Sequence, residues 1–307
     1  MIDSVLLIAF GGPTRPEEIR PFLATVTRGR RIPPERVDEV AHHYERIGGR
    51  SPLNELTFKQ AAGLAAALAR KGIALPVFVG MRNWHPYLAE TLAEMAEKGC
   101  RHALGIILSS LQTEAAWERY QDNVAEARAT VGPAAPAVTY APPWSDHPRF
   151  IEAVADQTRA VLDAIPPARR PETPLVFTAH SVPVAMAERS PYVAQLTQAS
   201  RLVADQLGHR RWRIAYQSRS GSPLEPWLEP DIGEVIRDVA RDRVADLVVV
   251  PIGFVVDHVE VLYDLDVEAR GVAAGAGVRL HRAQAVNDHP ALIAMLADLV
   301  EAGPARQ

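Results

Sequence analysis

A histidine and a row of three carboxylates are the residues of this sequence whose types and spacing could support acid–base or metal chemistry. His180 follows an apolar run, Leu175–Ala179, that is typical of a buried strand. Glu260, Asp264 and Glu268 recur at every fourth residue after another apolar run, a spacing that places them on one face of a helix. An imidazole and several carboxylates can together accept protons or bind a divalent first-row metal.

Each of these residues also has a purely structural interpretation. A single histidine is more often a hydrogen-bonded structural residue than a catalytic one, and three carboxylates at this spacing can form a solvated helix face. The position of Glu260, in the first turn after a strand, favours the functional interpretation. Ligands of parallel α/β sheets bind beyond the carboxyl ends of the strands.

A cluster of arginines near the amino terminus is a candidate site for an anionic ligand. Arg28, Arg30 and Arg31 lie within four residues, and guanidinium groups make forked hydrogen bonds to carboxylates. Such a run lies either on the solvated surface or along a cleft for a ligand with several carboxylates. Gly11-Gly12-Pro13 after the first strand does not match GxGxxG, and no GxxxxGK[ST] occurs, which argues against dinucleotide and nucleoside triphosphate sites.

Short apolar runs alternate with amphipathic helical patterns along the chain, which predicts parallel sheets covered by helices on both faces. The predicted strands are Val5–Phe10, Pro76–Met81, Ala103–Leu108, Ala137–Tyr140, Leu175–Ala179, Arg213–Gln217, Leu247–Ile252 and Arg279–Arg282. The predicted helices include Leu56–Lys71, Tyr87–Lys98, Ala115–Ala129, Phe150–Ala164, Val193–Leu207, Ile232–Arg241 and Leu292–Ala302.

Four predicted strands precede the middle of the chain and four follow it. We therefore predict an α/β protein with two doubly wound, Rossmann-like lobes, each built on a parallel four-stranded sheet. The boundary is predicted between residues 145 and 146, giving an N-terminal lobe of residues 1–145 and a C-terminal lobe of residues 146–307. The last helix is a candidate to pack back on the first lobe.

The composition narrows the class of protein. The chain has 307 residues and a formal net charge of −4, without the basic surplus of nucleic-acid-binding proteins. Its one cysteine, Cys100, can form no internal disulfide and is too few for an iron–sulfur cluster. The longest apolar run, Leu247–Val256, is interrupted by Pro251 and is shorter than the about 20 residues of a spanning helix. We therefore expect no transmembrane segment, no nucleic-acid partner and a cytoplasmic location.

Six segments of the sequence, in this order, resemble the ferrochelatase family, whose members insert Fe2+ into a porphyrin as haem is made. They are LLIAFGGP (Leu6–Pro13), RIGGRSPLNELT (Arg46–Thr57), FVGMRNWHPYLAETL (Phe78–Leu92), FTAHSVP (Phe177–Pro183), YQSRSGSPLEPWLEP (Tyr216–Pro230) and PIGFVVDHVEVLYDLD (Pro251–Asp266). The resemblance implies a chelatase-like fold and a lyase that takes Fe2+ and a porphyrin as substrates. It implies no organic cofactor and no [2Fe–2S] cluster.

The resemblance also assigns roles to individual residues. It implies that His180 and Glu260 form the catalytic pair, and that these two with Asp264 and Glu268 contact the metal. The residues that match the family's porphyrin contacts are Phe10, Arg28, Arg30, Ser51 and Tyr120. Many members that act on coproporphyrin III have a tyrosine where this chain has Phe10, so a phenol is missing here.

The segment of residues 22–49 resembles the branch of the family that acts on coproporphyrin III. That porphyrin carries four propionates where protoporphyrin IX carries two, and an arginine-rich rim suits the larger number. The alternatives are a protoporphyrin IX ferrochelatase, a cobalt or nickel chelatase, a porphyrin- or haem-binding protein without catalysis, and a generic metal-binding α/β protein. A ferrochelatase would also need a protein that transiently accepts its haem product.

Overall fold

The computed structural model describes residues 1–29, 32–221 and 224–305. The chain divides into two compact units. The first consists of Met1–Ser109, Ala115–Pro143 and Leu292–Gln307, and the second of Ser110–Glu114 and Trp144–Ala291. The main boundary thus falls between residues 143 and 144, two residues before the predicted one.

The strands and helices follow the predicted alternation. The strands are β1 (Ser4–Ala9), β2 (Val77–Met81), β3 (His102–Ile107), β4 (Ala137–Tyr140), β5 (Leu175–His180), β6 (Trp212–Gln217), β7 (Asp246–Val250) and β8 (Arg279–Arg282). The α-helices are α1 (Ile19–Val26), α2 (Pro34–Arg46), α3 (Leu53–Arg70), α4 (Leu88–Glu97), α5 (Arg119–Val131), α6 (Pro148–Asp163), α7 (Val184–Glu188), α8 (Tyr192–Leu207), α9 (Ile232–Arg241), α10 (Val259–Leu262), α11 (Arg270–Gly275) and α12 (Pro290–Ala302). Two π-helices, Glu114–Glu118 and Asp264–Ala269, and two 3-10 turns, Pro16–Glu18 and Arg170–Glu172, complete the described elements.

The first unit is built on a parallel sheet of order β2-β1-β3-β4. Residues 292–305 belong to it, so the C-terminal lobe predicted to run to residue 307 ends earlier in the structure. The physical reason is packing and charge. Ile293 fills the space beside Gly63, where an added Cβ would come within 3.0 Å of it, and Lys71 forms an ion pair with Glu301. The backbone N–H of Ala305 also donates to the carbonyl of Tyr140, at 2.9 Å.

The second unit is built on a parallel sheet of order β6-β5-β7-β8. The chain leaves β5 to form β6 on one side and then returns to form β7 on the other. The carboxyl ends of β5 and β7 therefore lie at the point where the strand order reverses, which is where doubly wound sheets bind their ligands.

The structure changes one predicted element in this unit. The spacing of Glu260, Asp264 and Glu268 predicted one helix face, whereas α10 covers Val259–Leu262 and a π-helix covers Asp264–Ala269. The wider turn is shown by the N–H of Glu268, which donates to the carbonyl of Tyr263, five residues earlier, at 3.1 Å. Such π turns are uncommon and occur mostly at functional sites.

Candidate functional site

His180 is the last residue of β5, at the carboxyl end of an inner strand of the second sheet. The hydroxyl of Tyr192, in α8, donates a 2.8 Å hydrogen bond to the backbone carbonyl of His180. Burial raises the pKa of the Tyr192 phenol above its usual value of 10.0, because a buried phenolate would be poorly solvated. Tyr192 therefore remains a proton donor at neutral pH and holds the carbonyl of His180 at the end of the β5–β6 ladder.

The contacts of the His180 imidazole determine which of its nitrogens is free. Nδ1 contacts the carbonyl oxygen of Ser181, and a carbonyl only accepts, so Nδ1 carries the hydrogen. In the neutral ring, Nε2 then has the free lone pair. Nε2 lies 3.8 Å from Oε1 of Glu260, too far for a hydrogen bond but close enough for attraction once the ring is protonated. The side chains are 29% and 40% exposed, so both remain accessible.

Glu260 is held through its backbone. Its N–H donates to Nδ1 of His258 at 3.2 Å, and its carbonyl accepts from Nε2 of Gln217. Gln217 is in turn the register partner of His180 across β5 and β6. Burial lowers the pKa of His258 below its usual 6.5, which favours the neutral ring that can accept this hydrogen bond. One residue, Gln217, thus links the strand that carries His180 to the helix that carries Glu260.

A glycine brings the segment after β7 against β5. The N–H of Gly253 donates to the carbonyl of Thr178 at 3.0 Å. A Cβ at residue 253 would lie 2.5 Å from the Cβ of Ala179, closer than two carbon atoms can approach, so only glycine fits here. This close approach, directly before His180 in β5, starts the segment that leads to Glu260.

The acidic row changes in exposure along the helix. Glu260 is partly exposed, Asp264 is buried, with 9% of its surface accessible, and Glu268 is exposed. The Asp264 carboxylate accepts a hydrogen bond from Oγ of Ser218. Among the described residues, no three His, Cys, Asp or Glu side chains lie close enough together to hold a metal ion. The four residues predicted to contact the metal are therefore spread along a strand end and a helix, and do not surround one point.

The four predicted porphyrin contacts that the structure describes lie in the first unit. Phe10 follows β1, is 38% exposed and packs edge-on against Phe22 with ring centroids 6.4 Å apart. Tyr120, near the start of α5, is 7% exposed. The guanidinium carbon of Arg82 lies 4.5 Å from the centroid of the Tyr120 ring and 5.8 Å from that of Phe10. The structure thus brings Phe10 and Tyr120 to one arginine.

The two other described contacts, Ser51 and Arg28, differ in exposure. Ser51 is 4% exposed, and its Oγ accepts from the N–H of Leu53 at 3.3 Å. Arg28 is exposed just after α1. Arg30 lies outside the described residues.

Three contributors to the site were not singled out from the sequence, namely Tyr192, Gln217 and His258. Gln217 ends a predicted strand, so the rule that parallel sheets bind ligands at their carboxyl ends was an available signal. His258 precedes Glu260 by two residues, the position of a helix cap. The role of Tyr192 depends on how α8 packs against β5, and no local signal in the sequence indicates it.

The fold of the chain is that of the two-unit α/β chelatases. A sirohydrochlorin chelatase from Bacillus subtilis subspecies spizizenii, solved with cobalt, matches 98% of this chain and 94% of its own with a TM-score of 0.58 and 13% identity. A structure of the Bacillus subtilis enzyme with Fe3+ gives a TM-score of 0.61 at 12% identity, over 99% and 96% of the two chains. These matches confirm the predicted chelatase-like fold.

Within that class, the sequence identifies the family. The ferrochelatase family model matches residues 3–303. A coproporphyrin III ferrochelatase from Nocardia farcinica is 44% identical over 97% of this chain and 87% of its own, and one from Mycolicibacterium smegmatis is 42% identical over 97% and 89%. A ferrochelatase from Rhodopirellula baltica is 42% identical over 97% of this chain and 85% of its own. The chain belongs to the ferrochelatase family, as the resemblance predicted.

In the part of the chain that the structure describes, no helix is both long and apolar enough to cross a membrane.

Proposed function

We propose that the protein inserts Fe2+ into a porphyrin in haem biosynthesis, with coproporphyrin III as the favoured substrate and the cytoplasm as the location. The observation that carries the proposal is the pair of His180 Nε2 and Glu260 Oε1, 3.8 Å apart at the switch point of the second sheet, in a chain of this family. The reaction needs no organic cofactor, and Fe2+ enters as a substrate.

The chemistry requires two protons to leave as one metal enters. The porphyrin loses both pyrrole N–H protons and the ring nitrogens donate their lone pairs to Fe2+, so the products are the iron porphyrin and two protons. His180 Nε2 has the free lone pair and the accessibility to accept a pyrrole proton, and imidazole is the most common general base in enzymes. Glu260 then stabilises the imidazolium that forms and acts as the second base or as a metal ligand.

The macrocycle must also be bent, since a planar porphyrin keeps its nitrogen lone pairs in the ring plane. Strain of about 1–5 kcal/mol can be supplied by remote binding contacts. We assign these contacts to Phe10, Tyr120, Ser51, Arg28 and Arg30. Both Ser51 and Tyr120 are buried in the first unit, so we expect Phe10 and Arg28 to meet the porphyrin first.

The acidic row leads outward from the pair. We propose that Asp264 and Glu268 guide hydrated Fe2+ toward Glu260 or carry protons away from it. Glu268 is exposed, so hydrated Fe2+ can reach the outer end of the row from the solvent. The oxygen-sensitive product then passes to a haem-accepting protein.

The preference for coproporphyrin III has two supports. The named relatives from Nocardia farcinica and Mycolicibacterium smegmatis are coproporphyrin III ferrochelatases. Four propionates also suit the arginines near α1, because guanidinium groups bind carboxylates in a forked geometry. A side-by-side assay with coproporphyrin III and protoporphyrin IX under anaerobic Fe2+ tests the preference, and a faster rate with protoporphyrin IX would contradict it.

The catalytic pair is tested by two substitutions. We expect His180→Ala and Glu260→Gln each to lower kcat at least about 100-fold, the usual contribution of a general base, while porphyrin affinity, followed by fluorescence quenching, stays nearly constant. Matched controls in the same unit are His289→Ala and Glu172→Gln, since Glu172 is an exposed partner of Arg211. If His180→Ala and Glu260→Gln both had the rates of the control variants, the two residues would have no part in the mechanism. Stoichiometric porphyrin binding without multiple turnover in the wild type would indicate a carrier.

A further inference from the structure

A partly buried arginine contacts two carboxylates of the segment that carries the acidic row. Arg282, the last residue of β8, is 11% exposed. Its Nε lies 2.9 Å from both carboxylate oxygens of Asp266, and its Nη2 lies 2.8 Å from Oδ2 of the same residue. Its Nη1 donates to Oδ1 of Asp257 at 3.0 Å and to the carbonyl of Ala283 at 3.2 Å. The planar guanidinium thus forms hydrogen bonds with the carboxylates of both Asp266 and Asp257, an arrangement that we call the fork.

The two carboxylates, Asp257 and Asp266, flank Glu260 and Asp264 in the sequence. Asp257 precedes Glu260 by three residues, and Asp266 lies between Asp264 and Glu268 in the π-helix. A single guanidinium therefore spans α10 and the start of the π-helix. Any change in the pitch of this segment would alter the distance between Asp257 and Asp266, and so would break at least one of the two contacts.

Asp257 is itself fixed by the loop after β8. Its carboxylate accepts from the N–H of Ala285 at 3.2 Å and from Nδ2 of Asn287 at 3.0 Å. Oδ1 of Asn287 in turn accepts from the N–H of Asp257 at 2.8 Å. Asn287 has a φ of +47°, a left-handed conformation that asparagine adopts more readily than most residues. The carboxylate of Asp257 is therefore held in place by the loop after β8, and Arg282 connects it to the π-helix.

We propose that Arg282 is a positioning residue for metal insertion, which sets the pitch of the segment from Asp257 to Asp266 and thereby the placement of Glu260 and Asp264. This inference rests on the proposed function. Ion pairs add little net stability whether they are exposed or buried, so a role in geometry accounts for this partly buried fork better than a role in stability. Lysine at this position keeps the charge but has no planar fork.

The chain offers a matched control on the same strand. Arg279 also forms a two-point pair with a carboxylate, with Nε and Nη2 at 2.8 and 2.9 Å from the two oxygens of Asp246. That pair lies at the other end of β8, where Asp246 begins β7. Arg279→Lys removes the same kind of contact from the same strand without touching the acidic segment.

The experiment compares Arg282→Lys with Arg279→Lys in the full chain. For Arg282→Lys we expect kcat to fall about 10-fold or more, as small misplacements of reacting groups can cost up to about 100-fold. The apparent KM for Fe2+ should rise, while the KM for coproporphyrin III stays within about twofold of wild type. For Arg279→Lys we expect all three constants to stay within about twofold. Equal losses in the two variants, or a loss confined to the porphyrin KM, would overturn the inference.

Amide hydrogen exchange supplies a measurement that does not need turnover. In Arg282→Lys, exchange at residues 258–269 should accelerate relative to the rest of the second unit, whereas Arg279→Lys should leave that segment protected. Wild-type protection in Arg282→Lys would overturn the inference even if activity fell. A wild-type protein that inserts no metal would refute the proposed function alone, and exchange would still decide the role of Arg282. If Arg282→Lys fails to fold, Asp266→Asn replaces it, because that variant keeps the contact between Arg282 and Asp257.

Discussion

Replacing Tyr192 with phenylalanine should weaken both the fold and the catalytic pair without opening a cavity. The change removes only the hydroxyl that donates to the carbonyl of His180 at 2.8 Å. A typical hydrogen bond contributes about 0.5–1.5 kcal/mol net, and a buried carbonyl left without a donor costs about 1–3 kcal/mol. We therefore expect the free energy of unfolding to fall by about 1–3 kcal/mol, measured by urea unfolding.

The same substitution should lower kcat. The lost hydrogen bond holds the backbone from which the imidazole projects, so part of the loss of about 1–3 kcal/mol should appear as poorer placement of Nε2. If all of it did, the rate would fall about 5- to 150-fold, and we take this range as the upper bound. The KM for porphyrin should not change, because Tyr192 lies in α8 of the second unit and the predicted porphyrin contacts lie in the first.

The control for this prediction is Tyr216→Phe. Tyr216 lies in β6 of the same unit and is also buried, and burial raises the pKa of its phenol as well. Its hydroxyl does not bond the carbonyl of His180. If Tyr192→Phe kept the wild-type kcat and free energy of unfolding, or if Tyr216→Phe changed kcat by the same factor, the positioning of His180 by Tyr192 would be refuted.

Two further predictions concern charged groups. The double variant Asp264→Asn/Glu268→Gln should raise the apparent KM for Fe2+ about 3- to 10-fold, because each carboxylate contributes an attraction of a fraction of a kcal/mol to about 1 kcal/mol. The kcat at saturating iron should stay nearly constant. An unchanged dependence of the rate on iron would exclude the acidic path. Two-point hydrogen bonding from Arg279 lowers the pKa of Asp246 from 3.8 to about 2, so the Asp246 carboxylate stabilises the fold above about pH 3.8 and loses that contribution as the pH falls toward 2. Asp246→Asn should therefore lower the free energy of unfolding by about 1–2 kcal/mol at neutral pH, after allowance for solvent screening of the exposed arginine. The difference in this free energy between wild type and variant, measured by urea unfolding, should become smaller below pH 3.8. A difference that is constant with pH would contradict the prediction.

The inner strands β1, β3, β5 and β7 were predictable because their apolar runs are almost entirely buried. The start of β7 shows what the local pattern lacks. The run was predicted to begin at Leu247, yet the strand begins at Asp246, a carboxylate with 1% of its surface exposed. Its burial is compensated by Arg279 and His281 of β8, at 2.8 and 2.9 Å. Only the pairing of β7 with β8 reveals this compensation, and that pairing joins residues more than thirty positions apart.

The helix of the acidic row was predicted in its residues and not in its form. Spacing by four placed Glu260, Asp264 and Glu268 on one face, but nothing in that spacing distinguishes an α-helix from a helix with a π turn. The π turn coincides with the contact between Asp266 and Arg282, a residue that follows it by sixteen positions. The form of the helix therefore depends on a tertiary contact that periodicity does not contain.

The proposed catalytic pair, His180 and Glu260, combines a backbone fixed by hydrogen bonds with accessible side-chain ends. The carbonyl of His180 is bonded to Tyr192, and Glu260 is bonded at both its N–H and its carbonyl, by His258 and Gln217. Nε2 and Oε1 remain 3.8 Å apart and accessible. A shorter, hydrogen-bonded pair would already share the proton that the reaction must remove from the substrate, and its lone pairs would be occupied. A site that takes up protons and binds a metal in the same turnover needs a backbone fixed by hydrogen bonds and two basic atoms that remain accessible.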